Sequence, residues 1–365
     1  MEHRTDIGLA QVLTSAAAAV GVQAFDDDLG VGPCDFAVVC LVDGLGAMSI
    51  EGHPEFFDCL RDARGGSIEA AFPTTTPTGL ASLGTGRSTG EHGFVGASFL
   101  LPETQEVLSP LQWGSHPLPL AVQPDPTVFE VAAASGVRTL TIAPGAYARS
   151  GLTAAVLRGS LYRQAETIEE RVDSVRSVIA GGEPALVYLY WPTLDRAGHE
   201  FGTRSSEWAG AARDVGELLG RLRGELPATG KMVVTADHGM IDVSDRIWIE
   251  DHPVLWSGVN LIAGEPRMRH VYTAEPPEDV ARRWRDVLGD EALILTRDAA
   301  IDRGLFGAVE TTIRDRIGDV LAISLNETII ASHQVDGRVS GLLGQHGALT
   351  EGERRVPALI LDGST

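Results

Sequence analysis

Five apolar runs of strand length constrain this chain more than any other feature in it. They are FAVVCLV (36–42), SIEAAF (67–72), RTLTIA (138–143), ALVYLYW (185–191) and KMVVTA (231–236). Helical periodicity fills the segments 7–20, 78–85, 127–135, 160–180 and 205–223. The last of these spaces Trp208, Ala211, Ala212, Val215, Leu218 and Leu219 so that they share one helix face. Strands alternating with helices build βαβ units. The expected class is therefore α/β, with a central mixed, largely parallel sheet flanked by helices. Two stretches break the pattern. Residues 97–125 carry Pro102, Pro110, Pro117, Pro119 and Pro124 and read as a loop-rich excursion. From about 245 to 340, short strands (IWIE, RMRHVYT, DVLAISL) mix with a helix near 277–288. That stretch reads as a smaller α+β subdomain inserted in a single domain of residues 1–365, ahead of a last strand VPALIL (356–361).

A hydrophobic fraction of 44% with mean hydropathy near zero is that of a soluble globular protein with a sizeable core. No run reaches the roughly 18 apolar residues that span a bilayer. The alanine-rich N-terminus has Glu2 and Asp6 where a secretion signal is basic, and Gln11, Thr14 and Ser15 interrupt its apolar part. An amphipathic opening helix and a cytoplasmic location are expected. Cys34, Cys40 and Cys59, an odd count with no CxxC, read as buried thiols and not as a disulfide framework or zinc cluster. A net charge of −21 argues against nonspecific nucleic-acid binding. Lys231 is the single lysine, which leaves lysine chemistry almost without a candidate. For such an acidic chain to act on an anionic substrate, positive charge must be concentrated locally, and bound metal is one way to supply it.

The residues following each strand carry the chemistry. FAVVCLV runs into Asp43 and Gly44-Leu45-Gly46, and SIEAAF into Pro73 and three threonines. ALVYLYW is followed by PTLDRAGH with Asp195 and His199, and KMVVTA by Asp237, His238 and Gly239. GQHG, with His346, precedes the terminal strand. Open α/β sheets bind ligands at the carboxyl ends of their strands. Taken singly, a DHG or GxHG reads as a helix cap or a histidine satisfied by backbone. Taken together, the clusters assemble three carboxylates and three imidazoles, a mixed N/O set that suits zinc or another first-row metal better than calcium or magnesium.

LVDGLG, FPTTTPTGLASLGTG, DRAGHEFG, ADHGM and GQHG also fall in an order that resembles the alkaline phosphatase superfamily, and within it the nucleotide pyrophosphatase/phosphodiesterase (type I phosphodiesterase) branch. The resemblance spans residues 37 to 361. It implies an alkaline-phosphatase-like fold and a pair of zinc ions, with manganese or iron as options. One zinc would be held by Asp43, Asp237, His238 and the Thr76 oxygen, the other by Asp195, His199 and His346. It further implies that Thr76 is the nucleophile of a metal-dependent phosphodiesterase or nucleotide pyrophosphatase working through a phosphothreonine intermediate. The partner would be a small-molecule phosphate ester, nucleotides included, with neither a nucleic acid duplex nor a membrane involved. Two alternatives stay open: a phosphomonoesterase or phosphonate hydrolase on the same scaffold, and a catalytically silent metal-binding protein.

The residues around the threonines support the choice of Thr76. Pro77 suits the first position of a helix and makes Thr76 the expected N-cap, where free N–H groups and the helix dipole favour an alkoxide and a docked phosphoryl group. Thr74 and Thr75 read as residues that end a strand and pack or hydrogen-bond. GLASLGTGRS lacks the lysine of a P-loop. Pro77-Thr78-Gly79 departs from the Phe-Pro-Asn that the branch carries after its nucleophile, so an asparagine donor to the phosphate is missing; the Thr78 hydroxyl and the Gly79 N–H are the local substitutes. Arg87, Arg149 and Arg196 are the arginines nearest the motifs, with Arg196 inside the ligand loop. Phe94, Phe99, Trp113 and Trp191 are aromatics that either stack on a flat leaving group or fill the core. His92 and His116 lie outside the ligand motifs and read as structural.

Overall fold

Phe36–Val42 and Ala185–Trp191 are buried along their entire lengths. Runs with no polar face belong in the middle of a sheet covered on both sides, and both strands lie there. The computed structural model describes residues 1–363. Its central sheet has eight strands in the order His3–Gly8, Arg64–Glu69, Arg355–Asp362, Gly230–Thr235, Phe36–Val42, Ala185–Trp191, Arg138–Ala143, Leu161–Gln164. Neighbours run parallel throughout, except that Arg355–Asp362 is antiparallel to both of its partners.

That one reversal matters for the site. The strands ending ahead of Asp43, Thr76, Asp195 and Asp237 all point the same way, so their carboxyl ends share one edge. The antiparallel strand starts at that edge, which brings the His346 loop preceding it to the same place. A single sheet edge thus collects residues from five separate stretches of sequence.

A second, four-stranded antiparallel sheet orders Val259–Glu265, Met268–Thr273, Val320–Ser324 and Ala292–Thr296. The helix Pro277–Leu288 covers it with Val280, Ala281, Trp284 and Leu288. These four join Ile262, Val271, Ile294 and Val320 in a hydrophobic cluster separate from the main core. Two buried arginines of the Met268–Thr273 hairpin tie this sheet to the rest of the molecule. Arg267 forms a two-pronged pair with Glu353, at 3.0 and 2.7 Å, with both side chains fully buried. Arg269 pairs with Asp336 at 2.6 Å.

Local structure departs from the sequence expectation in three places, one being the strand expected at 67–72, which runs Arg64–Glu69. The expected helix 7–20 is instead a strand, His3–Gly8, followed by the helix Ala10–Ala19. The expected helix 160–180 is a strand, Leu161–Gln164, followed by the helix Ile168–Ala180. Both new strands are sheet edges, held by pairing with Arg64–Glu69 and Arg138–Ala143 and not by any strand-like pattern of their own. The second boundary was nonetheless written in the chain, because Thr167 and Glu170 form a reciprocal capping box. The excursion 97–125 contains a short hairpin, Phe99–Leu101 with Glu106–Leu108. All three cysteines are free; Cys40 is buried and Cys34 and Cys59 are half-buried. Burial pushes the Cys34 and Cys40 thiols up to about 12. Among the described residues, no helix is long and apolar enough to cross a membrane.

Candidate active site

The helix Thr76–Thr85 packs so tightly on the strand end behind it that its first turn can carry no side chain there. A Cβ on Gly79 would lie 2.6 Å from the Asp237 Cβ. Gly79→Ala is therefore expected to cost about 1–3 kcal/mol as an overpacked contact. It should also displace Asp237, lowering metal content; a urea titration paired with metal analysis checks both. The helix opens one residue earlier than Pro77 alone suggests. Thr75 is the N-cap, with extended backbone, and its carbonyl accepts the first intrahelical bond from the Gly79 N–H at 2.9 Å. Thr76 is the first helical residue and Pro77 the second, where a missing N–H is still harmless. Thr76 remains in the first turn, at the positive end of the helix dipole.

Around Thr76 the candidate ligands converge in two groups. Asp43, Asp237 and His238 present atoms within 4.8 Å of one another, and so do Asp195, His238 and His346. His238 Nε2 lies 3.2 Å from Thr76 Oγ1, 3.5 Å from Asp43 Oδ1 and 3.6 Å from Asp237 Oδ2. His199 joins the second group, its Nε2 at 3.1 Å from His346 Nε2 and 3.5 Å from Asp195 Oδ1. All seven residues singled out in the sequence (Asp43, Thr76, Asp195, His199, Asp237, His238 and His346) thus meet at one place.

The protonation pattern of the histidines fits metal ligation. Each Nδ1–H donates to a backbone carbonyl: His199 to Gly344 at 2.8 Å, His238 to Gly239 at 3.0 Å and His346 to Thr74 at 2.8 Å. Each Nε2 is therefore left pointing into the site as the ring atom available to a metal, the orientation a ligating imidazole needs. His199 Nε2 and His346 Nε2 lie 3.1 Å apart, close enough to share one cation. Carboxylate oxygens repeat the theme. Asp43 Oδ1, Asp195 Oδ1 and Asp237 Oδ2 are buried with no hydrogen-bond partner, and these are the atoms facing the imidazoles. Their opposite oxygens are occupied where it helps to orient them. Asp43 Oδ2 accepts from the Tyr190 hydroxyl, and Asp237 Oδ1 from the His238 and Gly44 N–H groups. Orphaned buried acceptors of this kind are costly unless a cation answers them. Burial, reinforced by the neighbouring carboxylates, pushes Asp43 well above the usual carboxylate range, and Asp237 is raised chiefly by burial. Burial, with His238 and His199 beside it, pulls His346 well below the usual imidazole range. The donor set fits a pair of first-row dications.

Thr74 and Thr78 are structural clasps, while Thr75 lines the cavity. Thr74 Oγ1 donates to the Ala348 carbonyl at 2.8 Å and accepts from the Gly347 N–H at 3.1 Å, pinning the GQHG loop. Both local substitutes for the missing asparagine are already committed. The Thr78 hydroxyl donates to the Phe94 carbonyl at 2.8 Å, away from the site, and the Gly79 N–H belongs to the helix. His92 is buried, accepts from the Phe94 N–H at Nδ1 and donates from Nε2 to Ser82 Oγ at 2.9 Å. With its basic nitrogen occupied it cannot activate that serine. His116 is exposed.

A cavity of about 710 Å³ opens from the ligand cluster. Tyr147, Tyr162, Tyr188 and Tyr190 line it along with Leu80, Leu152 and Leu157, while Thr75, Thr76, Asp43, Asp195, His346 and Glu265 border the cluster. None of the aromatics proposed from the sequence is among its lining residues. Phe94 and Phe99 are fully buried in the core, and Trp191 is buried beneath the Arg171 guanidinium. The tyrosines gave only a partial signal beforehand. Tyr188 and Tyr190 sit inside an expected strand, but which face each showed was undetermined. Arg196 is exposed at the cavity wall and makes no ion pair among the described residues. Arg87 is engaged with Asp125 and Glu310.

The family model for type I phosphodiesterase / nucleotide pyrophosphatase matches residues 37–349, which takes in every ligand motif from the first to the last. The chain belongs to that family. It is accordingly a phosphoric ester hydrolase of the alkaline phosphatase superfamily. Among solved structures, murine ectonucleotide pyrophosphatase / phosphodiesterase 5 is similar with a TM-score of 0.72 at 18% identity, over 90% of this chain and 88% of that one. The human protein of the same name gives a TM-score of 0.69 at 16% identity, over 89% and 87%. Phosphonoacetate hydrolase from Sinorhizobium meliloti 1021 gives 0.68 at 17% identity, over 89% of each chain. At these identities the likeness is one of fold. No curated protein sequence matches.

Proposed function

We propose that this family member is a phosphodiesterase or nucleotide pyrophosphatase acting on small phosphate esters, with Thr76 as nucleophile at a site for two zinc ions. The observation carrying the reading is the position of Thr76 Oγ1, on a helix N-terminus and 3.2 Å from a ligand-type imidazole nitrogen. When bound, two divalent cations supply charge neutralisation to the phosphate oxygens and lower the pKa of the threonine hydroxyl. Asp43, Asp237 and His238 would hold one beside Thr76, and Asp195, His199 and His346 the other.

The chain's own residues do the positioning on which phosphoryl transfer depends. Thr76 Oγ forms a bond to phosphorus as the bond to the leaving alcohol or phosphate oxygen breaks, and the leaving group departs with the proton. Water then replaces the threonine oxygen, releasing the phosphate monoester and restoring the hydroxyl. The dipole of the helix Thr76–Thr85 favours the anionic oxygen throughout. Tyr190 holds Asp43 in place. The tyrosine and leucine walls of the cavity suit a flat or apolar leaving group and exclude water from it. A nucleotide fits this chemistry, and an inactive threonine-to-alanine variant of the murine neighbour has been solved in complex with AMP.

The deciding experiment compares kcat/KM of the zinc-loaded protein for an aryl phosphodiester and the matching monoester. A strong diester preference is expected. A strong monoester preference would overturn it and favour the alternative of a phosphomonoesterase or phosphonate hydrolase. Unpaired Arg196 at the cavity wall and the phosphonoacetate hydrolase neighbour are the observations that keep that alternative in view. A separate check is metal stoichiometry. Wild-type protein should bind two equivalents and His199→Ala close to one, as read by elemental analysis after gel filtration. Two equivalents in the variant would remove His199 from the ligand set.

A further inference from the structure

The cavity does not stop at the ligand cluster. It continues between the central sheet and two helices. Thr141, Tyr188 and Tyr190 form its sheet wall. Leu80 of the helix Thr76–Thr85, with Leu152 and Leu157 at the helix Gly151–Val156, faces them. Thr141 and Tyr188 are direct partners on neighbouring strands, and Tyr190 follows two residues later, so all three lie on one sheet face.

The polar groups in this deep part are committed to the fold. The Tyr190 hydroxyl donates to Asp43, and the Tyr162 hydroxyl donates to the Pro144 carbonyl at 2.6 Å. Thr141 Oγ1 and Ser160 Oγ bond to each other at 2.7 Å, and the Ser150 hydroxyl donates to Thr153 Oγ1 at 3.0 Å. Tyr188 is not committed. It is 1% exposed, and its hydroxyl has no hydrogen-bond partner. Enclosing a phenol O–H without an acceptor destabilises a fold, and native proteins seldom do it. In a cavity that opens onto reacting groups, a ligand can bring the missing acceptor.

We propose that Tyr188 determines specificity, its hydroxyl donating to an acceptor atom on the ester group that occupies the deep cavity. This rests on the reading of the cavity as a phosphate ester site. The Tyr190 hydroxyl, on Asp43, marks the reacting end. Tyr188 stands two residues further from the carboxyl end of the strand, roughly 6–7 Å deeper. Leu80, Leu152 and Leu157 line the way with no polar group to offer. The ester group that fits is therefore an aryl or alkyl body carrying one carbonyl or ether oxygen well away from phosphorus. A bare hydrocarbon would fill the space but leave the hydroxyl stranded. A group with several polar atoms would strand its own against the leucines. A pocket built around a hydrogen bond disfavours the analogue that lacks the partner.

The test is calorimetric titration of zinc-loaded wild type and Tyr188→Phe with phenylphosphonate, para-acetylphenylphosphonate and inorganic phosphate. Wild type is expected to bind the acetyl compound about 3- to 10-fold more tightly than phenylphosphonate, the range of one net hydrogen bond. Tyr188→Phe should bring the two within about twofold, while binding phenylphosphonate and inorganic phosphate at least as tightly as wild type. The variant's urea midpoint should match or exceed that of wild type, because it loses only an unpartnered hydroxyl. No acetyl preference in wild type, or an undiminished one in Tyr188→Phe, would overturn the proposal. A lowered urea midpoint would overturn it too, since the hydroxyl would then be bonded within the fold. Leu152→Phe, which narrows the cavity from the helix side, should weaken both phosphonates and spare inorganic phosphate; unchanged phosphonate binding would place the aryl group elsewhere and sink the assignment. Failure of the functional reading looks different: wild type would bind neither phosphonate nor inorganic phosphate.

Discussion

Thr76→Ala is expected to lower phosphodiester turnover by roughly 10⁴- to 10⁶-fold, the loss seen when a catalytic nucleophile is removed. Phosphoenzyme labelling should vanish. The metal site should largely survive, because the side chain contributes one oxygen to a group that also contains Asp43, Asp237 and His238. Thr76→Ser, which keeps the oxygen on the same helix turn, should retain labelling. Rapid-quench detection of the phosphoenzyme, with metal analysis on each variant, separates a lost nucleophile from a lost site. Turnover by Thr76→Ala within tenfold of wild type would remove Thr76 from that role. Neither result depends on which ester is the natural substrate.

The second large effect lies away from the reacting atoms. Arg267→Met should destabilise the protein by about 3–5 kcal/mol, the cost of leaving a buried charge without its partner. The orphan would be Glu353, fully buried, whose carboxylate also accepts from the N–H of Ala348 at 2.9 Å and of Thr350 at 3.3 Å. Ala348 belongs to the loop carrying His346, and Thr74 clasps that loop from the other side. Losing Arg267 should therefore loosen the His346 group first, seen as a drop in metal content at urea concentrations below global unfolding. The double change Arg267→Met with Glu353→Leu should recover much of the stability, since buried pairs replaced by apolar residues are often neutral. A single variant within about 1 kcal/mol of wild type would show the pair to be dispensable.

Much of this was readable in the chain, and some was not. FAVVCLV and ALVYLYW matched their strands to the residue, because fully apolar runs of seven leave no competing element. Asp237-His238 and Asp195-x-x-x-His199 were legible as candidate ligands because each follows such a strand at a short offset, and the fold brings them together. Two edge strands, His3–Gly8 and Leu161–Gln164, were not legible: an edge strand is made by its neighbour's free backbone groups, and its own sequence need show no pattern. Thr75, and not Thr76, caps the helix because backbone torsion at the threonines decides it, and proline tolerates either of the first two positions.

The sequence by itself determined the class of fold, the family and the residues available for metal and nucleophile. These follow from short-range patterns, in which an apolar run makes a strand and the residues after it are delivered to the strand's end. Only the tertiary structure decided how those residues meet. One antiparallel strand carries the His346 loop to the shared edge, and backbone carbonyls select the histidine tautomers. The tyrosines, and not the tryptophans, turn toward the cavity. Glu265 arrives from a hairpin nearly 190 residues beyond Thr76. A one-dimensional pattern holds no record of which side chains will share a cavity wall.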